Sequence, residues 1–421
     1  KIAFANARSQ DRIEINWENF NRYWSGQIRD DADLKQCWSE MIGLYDHNYD
    51  PARSAEAVEG GQYRHEAHNW CFEHNWGAYD LKDRLGSIKV PVLVTVVIIG
   101  AGAIGGTLGA HMVRAGHDVV LCDADPSHVE AIRTSGLHIE GPVNDFIVHP
   151  LVVTPDELPD RIERAMVAVK SPHTRSAADL LRERLTPDGY VLSVQNGLTA
   201  EHLIDAVGED RVLASFVNFG ADVMGPGRIM QGNIGTFRVG ELRGGEITPR
   251  VLEMADALPY AEATDNVLGY LWGKEAYGAM LWAGAVSDLS IADSLADSRY
   301  RPLMVAVAEE VLAQAPVTVE SFDGFVPDDL EGSLDRLVAF NRGSAKSHSG
   351  IYRDLVVRKR KTEIDEMLRD LHGPIFAKIG QLIHDIEQGR RVCEVANLDE
   401  LAAFVADRQK SADDKSKGQR Q

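Results

Sequence analysis

The stretch VTVVIIGAGAIGGTLGAHMVRAGHDVVLCDAD, Val94 to Asp125, constrains the fold more than any other part of the chain. Val96 to Ile99 is the β-branched run expected of a strand buried on both faces of a parallel sheet. Gly100, Gly102 and Gly105 follow it directly as GxGxxG. The first glycine allows a sharp turn, the second lets a pyrophosphate approach the backbone, and the third lets helix and strand pack closely. Ala103 and Ile104 lie between the second and third glycines, so their backbone is expected at the phosphates as well. A helix follows, ended by Gly116, and then a second strand that closes on Asp123. That acid stands 23 residues after Gly100, near the spacing of about 20 at which a carboxylate meets the adenosine ribose. A lone GxGxxG would suit a glycine-rich surface turn equally well. The ordered strand, turn, helix, strand and acid instead predict a dinucleotide site for NAD or NADP, with NAD favoured by Asp123.

Two more strand ends carry polar residues. RAMVAVKSPHT reads as a strand ending at Lys170, and DGYVLSVQNGL as one ending at Gln195, Asn196 and Gly197. The carboxyl edge of an open α/β sheet is where ligands bind, although a solvated lysine and an Asn-Gly turn are the plainer readings. The next segment, RVLASFVNFGADVMGPGRIMQGNIGTFRVGEL, predicts short strands with Gly-Pro turns that extend the sheet antiparallel.

From about Thr248 the texture becomes helical. In NVLGYLWGKEAYGAMLWAGAV, Leu268, Leu271, Trp272, Ala276, Ala279, Met280 and Ala283 recur at helical spacing, and Lys274 interrupts them. Gly278 and Trp282, four and eight residues on, share its face. A lysine in such a place either snorkels or serves a site. Farther on, HSGIYRDLVVRKRKTEID holds Ser349, Asp354, the basic run Arg358 to Lys361, and Glu363. The run reads as a solvated helix face rather than a localisation or phosphate patch. The tail RQKSADDKSKGQRQ is polar and expected to be disordered.

The 421 residues carry a net charge of −20, which excludes a phosphate-backbone binder, because such binding needs clustered Lys and Arg. No apolar stretch reaches the roughly 18 residues of a membrane span, and no signal peptide is visible. Cys37, Cys71, Cys122 and Cys393 are scattered without a CxxC pair, which suits reduced thiols in a cytoplasm.

These motifs together carry a family resemblance. Residues from about Val94 to Arg408 resemble the ketopantoate reductases (2-dehydropantoate 2-reductases) of pantothenate biosynthesis, with GAGAIGG, VKSPHT, QNG, the WGK helix and SGIYRDLVVRKRKTEID in the family's order. The resemblance implies an α/β Rossmann domain followed by an all-α helical domain, with the active site in the cleft between them. It implies that Lys274 is the general acid and Asn196 orients substrate and cofactor. By the same token Lys170 lies beside the cofactor, while Ser349 and Glu363 bind a small 2-keto substrate and Glu363 counts among the catalytic set. The assembly is left open, with a homodimer as one candidate. There are departures: the family helix has asparagines four and eight residues after its lysine, where this chain has Gly278 and Trp282, so those two are taken as the substrate-binding positions. The family's basic residue for the 2′-phosphate of NADP is replaced by CDADP. The segment between Glu363 and HGPIF is shorter than usual.

The first ninety-odd residues differ in character, rich in Trp, Tyr, Asn and His. They resemble the lid region of α/β-hydrolases of the proline iminopeptidase type, ending at the strand sequence IKVPVLVTV, which runs straight into VIIGAG as if two strands were joined end to end. A hydrolase needs a G-x-S-x-G elbow, and the chain has none, so no hydrolase activity is expected. HEAHNWCFEH places His65, His68, Cys71 and His74 three residues apart; successive steps of three turn around a helix, so the four cannot face one ion, and a helix with partly buried histidines is expected without a metal. The expected organisation is a mainly helical extension over 1–93, a Rossmann domain over 94–247, a helical domain over 248–408 and a disordered tail over 409–421. The expected function is NAD(P)H-dependent reduction of a 2-keto acid or related carbonyl, with a non-catalytic dinucleotide sensor as the alternative.

Overall fold

The computed structural model describes residues 16–42, 51–74, 96–198, 200–343 and 347–418. The chain divides into two compact units, Lys1–Lys89 and Val90–Gln421. In the first, the helices are α1 Trp17–Tyr23, α2 Asp31–Met41, α3 Pro51–Gly60 and α4 His65–His74. Asn16 and Asp30 cap α1 and α2 through their side-chain oxygens, as such residues do at helix starts. Phe20 with Met41, and Ile28 with Leu34 and Cys37, form two small apolar clusters. Asp33 is buried and accepts hydrogen bonds from Arg22 and Arg29, which hold its carboxyl well below the usual range. The expected helical character is therefore present. His65 faces Asp31 at 2.7 Å, and burial lowers His68; the side chains of Cys71 and His74, like the IKVPVLVT junction, lie outside the described residues.

The second unit opens on the strand read from its valines, β1 Val96–Ile99, fully buried. It is flanked in parallel by β2 Val119–Cys122 and β6 Ile162–Val167. The sheet continues through β5 Leu151–Val153 on one side, and on the other through β7 Leu185–Ser193 and β8 Val212–Val217, all parallel. Then β11 Phe237–Glu241 joins antiparallel to β8, and β12 Ala261–Ala263 closes the edge. A second sheet, in the order β4-β3-β10-β9, consists of β3 Leu137–Glu140, β4 Phe146–Val148, β9 Ala221–Gly225 and β10 Arg228–Gln231. The main sheet's Rossmann helices include α5 Ala103–Arg114, α6 Pro126–Ser135, α7 Thr174–Arg184 and α8 Glu201–Val207.

Three expectations are corrected. The segment from Arg211 to Leu242 is not one antiparallel extension. Helix α8 returns the chain to the starting end of the sheet, so β8 runs parallel to β7; the β9–β10 hairpin goes to the second sheet, and only β11 pairs antiparallel. The α/β domain also extends past residue 247. Helix α9, Pro249–Ala257, buries Val251, Met254, Ala255 and Ala257 in the same core as β1, β2 and β11, and β12 follows it. The helical domain therefore begins at α10, Val267–Gly284. It continues with α11 Ile291–Ala296, α12 Arg301–Leu312, α13 Leu330–Arg342, α14 Ile364–Asp370, α15 Pro374–Glu387 and α16 Val395–Gly418. That last helix corrects the third expectation, a disordered tail over 409–421, for residues 409–418; residues 419–421 lie outside the described residues. Leu398, Leu401 and Val405 anchor it in the core, and the polar residues beyond contain no proline to stop propagation.

Candidate active site

The glycine turn is built as its sequence requires. Gly100 has φ +101°, and a Cβ there would meet the backbone of Ala168 and Val169 at 2.9 Å. A Cβ on Gly105 would lie 2.0 Å from the carbonyl oxygen of Gly100. At Gly102 the opposite holds: nothing lies within 4 Å of the position a Cβ would take. Gly102 is also the N-cap of α5 and offers no side chain to its free N–H groups. Open space above uncapped N–H groups at a helix N-terminus is a fit for a pyrophosphate; Ala103 and Ile104, the first two residues of that helix, are half-buried. Asp123 ends the second strand as expected, and its carboxylate accepts the N–H of Ala101 at 2.8 Å and of Asp125 at 2.9 Å. The acid thus braces the glycine turn.

Lys170 and Asn196 follow β6 and β7 at the same carboxyl edge. Gln195 ties these loops together, its amide donating to Val169 O at 2.8 Å and Thr174 Oγ1 at 2.7 Å. From the helical domain, α10 brings Lys274 to this edge. Its Nζ donates to Asn196 Oδ1 at 2.8 Å and to Val217 O at 2.5 Å, and stands 5.5 Å from the centre of the Phe216 ring. Burial pulls the ammonium down to about 8, against the opposing pull of the neighbouring Glu275 carboxylate. A lysine held by two acceptors and titrating near neutrality can give up or take a proton at working pH.

A second group faces Lys170. Its Nζ lies 3.8 Å from Asp354. Burial would push Asp354 up, but hydrogen bonds from Arg360 and Arg358 outweigh it and hold the carboxyl below its usual range. Glu363 is raised by burial, with Lys170 acting against the shift and Glu366 and Asp354 adding to it. The expected residues Lys170 and Glu363 are therefore electrostatic neighbours, and Lys274 and Asn196 are in direct contact.

Two expected substrate contacts sit differently. Ser349 is buried, and its hydroxyl oxygen accepts the N–H of Tyr352 at 3.1 Å, capping its own helical turn. Trp282 is 6% exposed and belongs to the helical core, so its ring packs between helices instead of presenting a face to the cleft. Gly278 keeps its open position, with nothing within 4 Å of a would-be Cβ. Sequence reading left Asp354 and Glu275 without roles. For Glu275 a signal was present: a carboxylate in the apolar run around Lys274, where helix burial predicts none. Gln195 and the Val217 carbonyl gave no such signal, since their parts depend on tertiary contacts.

Among the described residues no helix is long and apolar enough to cross a membrane, and no three His, Cys, Asp or Glu side chains are grouped to hold a metal ion. Residues 96–244 match the family model described as ketopantoate reductase PanE/ApbA. The 2-dehydropantoate 2-reductase of Pyrococcus abyssi is 33% identical over 185 residues, covering 42% of this chain and 59% of the relative; the chain thus spans about three-fifths of that relative's length. The solved ketopantoate reductase of Ralstonia eutropha is 26% identical, with a TM-score of 0.60 over 70% of this chain and 99% of its own. A D-mandelate dehydrogenase solved with NADH and anilino(oxo)acetate shares the fold, at TM-score 0.61 and 20% identity over 70% of this chain and 99% of its own.

Proposed function

We propose that this chain, whose residues 96–244 match the ketopantoate reductase family model, reduces a small 2-keto acid with a nicotinamide dinucleotide. The reading is carried by Lys274, whose Nζ is held by Asn196 and the Val217 carbonyl at the carboxyl edge of the sheet. Gly100, Gly102, Ala103, Ile104, Gly105 and Asp123 would hold the dinucleotide, which supplies the hydride for the carbonyl carbon. Lys274 donates the proton to the carbonyl oxygen. Asn196 holds the ammonium in place and keeps it aimed, and Lys170 with Glu363 sets the charge at the substrate's rim. Consumption of NADH or NADPH with a panel of 2-keto acids tests the proposal. Tight dinucleotide binding without turnover on any of them would favour a sensor, the reading that the absent asparagines support.

NADH is expected to bind several-fold more tightly than NADPH. The strand end after Cys122 carries Asp123, and Asp125 is held by its own turn, accepting from Ser127. Arg133, the cation of the next helix, is committed to Glu157 at 2.5 Å and to the Val152 carbonyl. A 2′-phosphate would meet carboxylates, and like charges about 4 Å apart at an effective dielectric of about 20 repel by up to ~4 kcal/mol before screening. A quarter of that is already several-fold in affinity. Fluorescence titration of both cofactors decides, and tighter NADPH binding would exclude this reading.

Substrate choice is expected to turn on Gly278. With Trp282 packed in the core, the argument from its aromatic face falls away, and the gap above Gly278 remains. A site with no amide there and extra volume favours a larger or more apolar 2-keto acid than ketopantoate. Two buried methylenes are worth about 1.6 kcal/mol, so a preference of about tenfold in kcat/KM is expected, and Gly278→Asn should erase it. Equal or better kcat/KM for ketopantoate in the unmodified enzyme would show that the gap does not set specificity.

A further inference from the structure

We propose that Asp323 is a positioning residue that fixes the Val217 carbonyl where it receives the Lys274 ammonium. Its purpose rests on the reductase reading; its geometry stands without it. Asp323 lies in the turn Phe322–Phe325 between α12 and α13, where Phe322 and Phe325 exchange backbone hydrogen bonds at 3.0 and 2.6 Å. Both central residues have positive φ, +39° at Asp323 and +92° at Gly324, as in the tight hairpin turns that favour Asp-Gly. The carboxylate held up by this turn is fully engaged. Its Oδ2 accepts Asn218 Nδ2 at 2.6 Å and the Thr236 N–H at 3.0 Å, and its Oδ1 accepts the Thr236 hydroxyl at 2.9 Å.

Asn218 and Thr236 stand just beyond the last pair of β8 and β11, Val217 with Phe237. Asn218 donates its backbone N–H to the Thr236 carbonyl at 3.0 Å. A trans peptide unit is planar, so its N–H and C=O point opposite ways. Anchoring the Asn218 N–H on Thr236 therefore aims the Val217 carbonyl to the other side, where Lys274 Nζ donates to it at 2.5 Å. Asp323 grips both residues of the hydrogen bond that sets this orientation. The approach is close: a Cβ on Gly235 would lie 2.3 Å from the Asn218 carbonyl oxygen and 3.3 Å from Asp323 Oδ2. The same turn also abuts the lysine's helix. A Cβ on Gly273 would lie 3.0 Å from the Phe322 ring, and that ring meets Phe216 edge-on at 4.7 Å. One turn thus packs against the helix that carries the proton donor and pins the strand end that supplies its acceptor. The other acceptor, Asn196, comes from a different strand end and is not held by Asp323.

The test reads Lys274 directly in the full-length protein. Acetylation of Lys274 by acetic anhydride at neutral pH is followed by mass spectrometry of its peptide, with the other lysines as internal standard. Asp323→Gly keeps the turn, because glycine tolerates positive φ, and removes all three acceptor contacts. With the Val217 carbonyl released, the ammonium loses one of two acceptors, and labelling should rise roughly tenfold, the low end of what a hydrogen bond to a charged group is worth. Asp323→Asn should stay near the parent, since its amide oxygen can accept from Asn218 and Thr236 N while its NH₂ donates to the Thr236 hydroxyl oxygen. Asn218→Ala removes one of the three contacts, should raise labelling by a smaller factor, and carries the test should Asp323→Gly not fold. With a reducible substrate in hand, kcat should fall about tenfold in Asp323→Gly with dinucleotide affinity unchanged. A purely structural aspartate would lower thermal stability and leave Lys274 labelling at the parent's rate. Parental labelling in folded Asp323→Gly and Asn218→Ala, or an equal rise in Asp323→Asn, overturns the proposal. The labelling needs no turnover, so failure to find a reductase substrate is a separate result.

Discussion

Replacing Lys274 by alanine is expected to lower turnover by about 10²–10⁴, the range a positioned general acid supplies, while dinucleotide affinity stays near that of the parent. Those two readouts separate because the groups are separate. The glycine turn is built from β1 and α5, and Lys274 comes from α10, with its contacts to Asn196 and Val217 at a different strand end. The alanine variant should fold, since losing the side chain removes a charged group from a half-buried setting and leaves the helix its Ala, Leu and Met packing. The parent's rate of reduction should be level below about pH 8 and fall about tenfold per unit above it. The proton must be on the lysine for the carbonyl oxygen to receive it, and burial brings that ammonium down to about 8. Steady-state rates with the best 2-keto acid, alongside a cofactor titration, check both parts. Near-parental turnover in Lys274→Ala would remove the proton donor from the proposed mechanism.

The second large effect is expected at the glycine turn, where two single methyl groups should do different harm. In Gly105→Ala the added methyl would lie 2.0 Å from the Gly100 carbonyl oxygen and 2.7 Å from the Ala168 side chain. Backbone must move to relieve that contact, at a cost of about 1–3 kcal/mol for overpacking, and the turn that faces the phosphates moves with it. Lower thermal stability and at least tenfold weaker dinucleotide binding are expected together. In Gly102→Ala the methyl enters open space, so stability without cofactor should be unchanged, whereas the phosphate loses the room it needs and affinity falls. Thermal unfolding without cofactor, set beside a binding titration, distinguishes the two. If Gly102→Ala bound dinucleotide as tightly as the parent, the open cradle would not be the pyrophosphate site.

Local sequence determined the parts whose physics is local. A β-branched run, three glycines at fixed offsets and an acid at the next strand end can satisfy one another in only one way, so β1, its turn, α5 and Asp123 were all legible in advance. The same holds for α10, where apolar residues recur at helical spacing. Local reading also went astray where a residue's fate rests on distant neighbours. The strands of 212–241 part company because α8 carries one across the sheet and a hairpin carries two others to a second sheet; nothing in their own residues says so. Helix α9 looks like the start of a helical domain until its apolar face is seen packed in the sheet's core. Trp282 shares a helix face with Lys274, but whether a side chain on that face meets solvent or core depends on the helices packed across it, and there it is buried. Lys274 and Asn196 are 78 residues apart in the chain, and Lys170 and Asp354 farther still; only the folded chain decides that each meets its partner. Burial then decides how they ionise, because the desolvation that shifts Lys274, Glu275 and Glu363 comes from atoms remote in sequence.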